Sequence, residues 1–194
     1  MTPLQRVAMG LVVVVVDTLG GYDLLPDVLG WALVLWGLAG LPGDRSGLRY
    51  SAAVAAVTSV VLYPPAVHES LADADPSLQW AASLPDLVFA LLLARALWRL
   101  AQPGAAAGAL PGAHPDARPG DRRLAGRMRL LVTVIVVLAV APVLVFTAGA
   151  EDLLPAATLL VQLMWLWLIW NLFAFHSRPW LNAEPPATEV AGGS

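Results

Sequence analysis

Apolar residues in this chain come in long unbroken runs, and six of the runs approach the length of a membrane span. They are Leu4 to Gly21, Leu24 to Leu41, Tyr50 to Val67, Leu78 to Leu100, Leu130 to Thr147 and Leu153 to Phe175. At ~1.5 Å of rise per residue, an 18-residue helix reaches roughly 27 Å, close to the thickness of the hydrocarbon layer. The pattern predicts an all-α, polytopic transmembrane helical bundle of six spans. The first segment is the least complete, because Asp17 and Gly20-Gly21 confine its uninterrupted apolar run to Val7–Val16. A re-entrant or interfacial first helix, leaving five full spans, is the alternative. Arg6 followed by that run imitates a signal peptide, but Asp17-Thr18-Leu19-Gly20-Gly21 offers no A-x-A-like cleavage site, so the segment is expected to be retained.

Between the fourth and fifth runs, residues 102–121 are dominated by Ala, Gly and Pro with no hydrophobic period, which predicts a flexible linker. Residues 182–194 contain Pro185-Pro186 and end in Ala-Gly-Gly-Ser, the composition of a disordered tail. The chain therefore reads as one transmembrane domain over 1–181 followed by that tail.

Three of the runs open on a leucine–proline step: DLLPD at 23–27, SLPD at 83–86 and DLLPA at 152–156. Proline suits the first turn of a helix, where its missing N–H would have had no partner, and it drives the preceding residue out of helical geometry. The step predicts a helix start at each place, with Asp27 and Asp86 in the first turn facing the positive end of the helix dipole. Ser83-Leu84-Pro85-Asp86 also has capping-box spacing. Read together, the steps predict three helical hairpins in tandem around a pseudo-threefold axis.

Composition agrees with the pattern. The chain is 58% hydrophobic and 13% charged, against about 25% charged in a soluble domain. It has no cysteine, which removes disulfides, thiolate metal sites and a cysteine nucleophile. All 11 basic residues are arginine.

Charge supplies an orientation. With the amino terminus inside, Arg6, Arg45, Arg49, Arg95, Arg99, Arg118, Arg122, Arg123, Arg127, Arg129 and Arg178 all fall on one side. The opposite connections carry Asp23, Glu69, Asp73, Asp75, Glu151 and Asp152 and no base. That is the positive-inside distribution, and it predicts a multi-pass protein of a bacterial cytoplasmic membrane with both termini in the cytoplasm. Trp98, Trp170 and Trp180 fall near the inner interface and Trp80 near the outer one, where amphipathic rings anchor. Trp36, Trp165 and Trp167 read as packing or lipid-facing residues.

The run Asp23-Leu24-Leu25-Pro26-Asp27-Val28-Leu29-Gly30-Trp31, continuing to Gly37-Leu38, resembles a DLLPDxxGW-type signature of small uncharacterised bacterial multi-span membrane proteins. The resemblance covers roughly the first 40 residues. It implies a multi-span protein with an uncleaved first segment, and it carries no activity whose residues would transfer.

Chemistry is sparse. Ionisable groups at membrane depth are costly, so Asp17, Asp27 and Asp86 are the candidate ion or proton site. Helix capping is the plainer account of Asp27 and Asp86. Gln162 and Asn171 read as amides bridging helices, and Pro64-Pro65 and Pro142 as kinks in the third and fifth spans. His68, His114 and His176 are dispersed, and no H-E-x-x-H, G-x-S-x-G or P-loop pattern occurs. The chain is accordingly expected to be neither an enzyme nor dependent on a cofactor. Arg122, Arg123, Arg127 and Arg129 are candidate contacts to anionic lipids at the cytoplasmic face, although fixing topology is their plainer job. With net charge −3 and its bases held against the bilayer, the chain is not expected to bind nucleic acid. Two functional readings remain: a structural or accessory membrane component, and a transporter of a small solute or ion that uses the carboxylates near the outer face.

Overall fold

The computed structural model describes residues 1–20, 27–41, 45–62, 64, 67, 70, 76–102 and 122–176, with the side chains of 16–20, Pro76 and Glu151 outside that description. The fold is all-helical. Its elements are α1 (Pro3–Gly20), α2 (Asp27–Ala39), α3 (Ser46–Leu62), α4 (Pro76–Ala101), α5 (Arg122–Ala148) and α6 (Leu154–Phe175), with a 3-10 turn at Glu151–Leu153 leading into α6. Each helix packs on its neighbours in sequence, and α6 closes on α1, so the six form a ring. Both the predicted linker 102–121, beyond Gln102, and the predicted tail 182–194 lie outside the described residues.

Three helices, α4, α5 and α6, are long and apolar enough to cross a membrane. The others are shorter. At 13 residues α2 rises only about 20 Å, and α3 stops at Leu62 instead of running to Val67. Pro64 lies two residues beyond that end, and the residue before a proline is disfavoured in helical geometry.

By contrast, α5 begins eight residues before the predicted Leu130, at Arg122. Arginine, leucine, alanine and methionine all favour helix, and Leu124 and Met128 extend the buried stripe of Leu131, Ile135, Leu138 and Pro142 at alternating spacings of four and three. Hydropathy drops at the arginines, but the helical period does not. Nor does Pro142 end the helix, which runs on to Ala148.

The leucine–proline steps behave unequally. Pro155 sits at the first turn of α6, as expected, and Asp27 opens α2. Pro85, however, lies inside α4, which starts at Pro76. The capping box at 83–86 is therefore not formed, and the Ser83 hydroxyl instead donates to the Trp80 carbonyl one turn back at 2.7 Å. Pairing is also uneven around the ring, since α1 with α2 and α4 with α5 make the closest contacts. Three equivalent hairpins would have made α1–α2, α3–α4 and α5–α6 alike.

The α1–α2 contact is backbone against backbone. A Cβ built on Gly10 would stand 2.5 Å from the Gly30 carbonyl oxygen, and one on Gly30 2.8 Å from that of Gly10. Two turns along, a Cβ on Gly37 would meet the Pro3 carbonyl at 2.8 Å. Only glycine permits this spacing, which is the small-residue mode of helix association in membranes. At the middle of the ring Trp31 and Phe89, both fully buried, meet edge to face with centroids 5.1 Å apart. The Trp31 Nε1–H donates to Ser59 Oγ at 3.1 Å, so this one side chain joins α2, α3 and α4.

Candidate functional site

Asp27 is the first residue of α2, and Asp86 immediately follows Pro85 in α4. Trp31 follows Asp27 by four residues and Phe89 follows Asp86 by three, so the Trp31–Phe89 contact sets the two aspartates side by side one turn nearer the helix starts. Both are half-buried. The α2–α4 interface thus brings together two of the three carboxylates singled out in the sequence. The third, Asp17, falls in the last turn of α1, and its side chain lies outside the described residues.

Trp80 is half-buried with its Nε1–H enclosed, and it has no acceptor among the described residues. Leu87, immediately after Asp86, is 3% exposed. Asp27 opens its helix, where a carboxylate meets the positive end of the helix dipole. Asp86 has no such place, standing about ten residues inside α4.

No protein-family model, curated protein or solved structure matches the chain.

Among the bases, Arg6 stacks over the Trp36 ring, its guanidinium carbon 4.4 Å from the centroid. Trp36 is thus more than the packing or lipid-facing side chain expected of it, a role visible only once α1 lies against α2. The Arg49 guanidinium donates to the Ala39 carbonyl at the end of α2 at 3.4 Å, a favourable place for a cation. These contacts put Arg6 and Arg49 at the end of α2 opposite Asp27. Arg127 lies over Phe175 at 5.9 Å, joining the start of α5 to the end of α6. Arg122, Arg123 and Arg129 are exposed on α5.

The amides differ from expectation. Asn171 is 1% exposed, but its Nδ2 donates to the Trp167 carbonyl of its own helix at 2.7 Å. It does not bridge helices through that bond, and its Oδ1 is buried with no hydrogen-bond partner among the described residues. Gln162 is half-buried in α6. Of the histidines, only His176 falls among the described residues.

Proposed function

We propose that the chain is a six-span integral protein of the bacterial cytoplasmic membrane, with both termini cytoplasmic, and that it serves as a structural or accessory component rather than as an enzyme. The observation that carries this reading is the filling of the ring. Trp31, Phe89, Leu93, Leu131 and Leu168 are fully buried together with most of the apolar core, and α1 is locked to α2 by glycine contacts. A bundle packed in this way suits holding or bracing better than passing a solute. The short helices support the six-span reading through their neighbours. Because α3 lies on α4 and α1 on α6, removing α1–α3 from the bilayer would strip the long helices of their cover. Reporter fusions after Leu41, Leu71, Gln102, Glu151 and Ser194 are expected to read inside, outside, inside, outside and inside. An outside reading at Ser194 would sink the six-span topology.

A second reading has one specific observation in its favour, the placing of Asp27 and Asp86 about one turn from the Trp31–Phe89 contact that joins their helices. Proton- or cation-coupled movement of a small solute would use them near the outer face, with Asp17 as a further candidate. In proteoliposomes carrying a pH or cation indicator, this reading expects a flux that D27N and D86N each abolish while assembly is retained. An unchanged flux in the D17N/D27N/D86N triple variant would remove it.

A further inference from the structure

The face that α5 turns away from the bundle carries a second pattern. Its core stripe is Leu124, Met128, Leu131, Ile135, Leu138 and Pro142. Set off from that stripe, Arg122, Arg129, Val136 and Val143 follow one another at intervals of seven residues, which places them in one line along the helix. All four are exposed, Val136 at 45% and Val143 at 43%. The line is therefore basic for its first two turns and apolar thereafter. Arg123 and Arg127 fall on the other flank of α5, where Arg127 makes its ring contact with Phe175 of α6.

Length fixes where this line meets the bilayer. With 27 residues, α5 is about 40 Å long, roughly 10 Å more than the hydrocarbon layer. With the apolar end at Ala148 set at one boundary, the first two turns stand in the opposite headgroup layer and Arg129 lies at its border with the acyl chains. Arg122 and Arg129 are separated by about 10 Å of rise, which covers that layer. Among the described residues no acidic side chain pairs with either of them. An arginine fork is well matched to a phosphate.

We propose that Arg122 and Arg129 hold the headgroup of an anionic phospholipid whose acyl chain runs down Val136 and Val143. The lipid is a specific neighbour of α5, and the positive charge here does more than set topology. This rests on the reading that α5 crosses the bilayer.

The test uses the full chain reconstituted in vesicles with spin-labelled phosphatidylglycerol or phosphatidylcholine, reading the motionally restricted fraction by electron paramagnetic resonance. The wild type is expected to prefer the anionic lipid about fivefold. R122Q/R129Q is expected to lose most of that preference, and R123Q/R127Q, which removes the same charge, to keep it. R122K/R129K should retain part, which separates lost recognition from lost folding. Equal selectivity in the two glutamine pairs, or no preference in the wild type, overturns the proposal while leaving the spanning reading intact. Absence of any restricted component for either lipid would instead count against the spanning reading itself.

Discussion

Gly30 shows what a single residue decides here. Its missing Cβ lets the α2 backbone rest on the Gly10 carbonyl of α1, while the adjacent Trp31 fills the middle of the ring. Gly37 and Leu38 repeat that division of labour two turns on, one facing α1 and the other buried in the core. The signature-like run of α2 thus has a physical meaning that the sequence could not display, because which glycine meets which carbonyl depends on how two helices cross. Gly30→Val is expected to lower stability by about 2 to 3 kcal/mol through overpacking against backbone. Gly126→Ala has open space around it and is expected to gain up to about 1 kcal/mol from helix propensity. Thermal or denaturant unfolding in mixed micelles measures both, and equal effects would refute the close-approach account.

At the same scale, the Asp27–Asp86 pair makes a separate prediction. Removing one of two neighbouring carboxylates relieves like-charge repulsion, so D86N is expected to raise the unfolding midpoint at neutral pH, and D27N to raise it less because Asp27 also meets the positive end of the α2 dipole. The double variant should add little beyond one of them, because residues in contact are not independent. Additive effects would show that the two carboxylates do not share a site. The sequence supplied both residues as candidates, but their pairing needed α2 and α4 to lie together.

Helices were the most legible level, and their ends the least. Apolar runs located all six, since the length of a run needs no tertiary information. The ends departed wherever hydropathy and helix propensity disagree. At the start of α5 propensity prevails over charge, and at the end of α3 proline prevails over an apolar run. Pro85 is the instructive failure. The same leucine–proline step that opens α6 lies within α4, where it leaves the Ala81 carbonyl without the N–H that residue 85 would ordinarily supply. Pro85→Ala is therefore expected to stabilise the protein by about 1 to 3 kcal/mol. Pro155→Ala, in a first turn where no bond is lost, should stay within about 0.5 kcal/mol. Equal shifts in the two variants, read by the same unfolding measurement, would show that position within the helix does not matter.

For the molecule as a whole, the sequence carried the class and predicts an orientation, while the closed ring came only with the structure. One-sided arginines and long apolar runs predict a multi-pass protein, yet nothing in a single chain says that α6 returns to α1 or that Trp31 joins three helices. On the six-span reading helices as short as α2 must also cross, and the ring supplies a reason, because α1 lies on α6 and α3 on α4. That is the central claim, and the chain's lack of cysteine makes it directly measurable. Single cysteines at Leu41, Ser70, Gln102 and Asp152 are to be labelled in intact cells with a membrane-impermeant maleimide, before and after permeabilisation. The account expects Ser70 and Asp152 to label from outside, and Leu41 and Gln102 only after permeabilisation. Labelling of Leu41 and Ser70 from the same side would show that α3 does not cross the membrane, and would contradict the six-span ring.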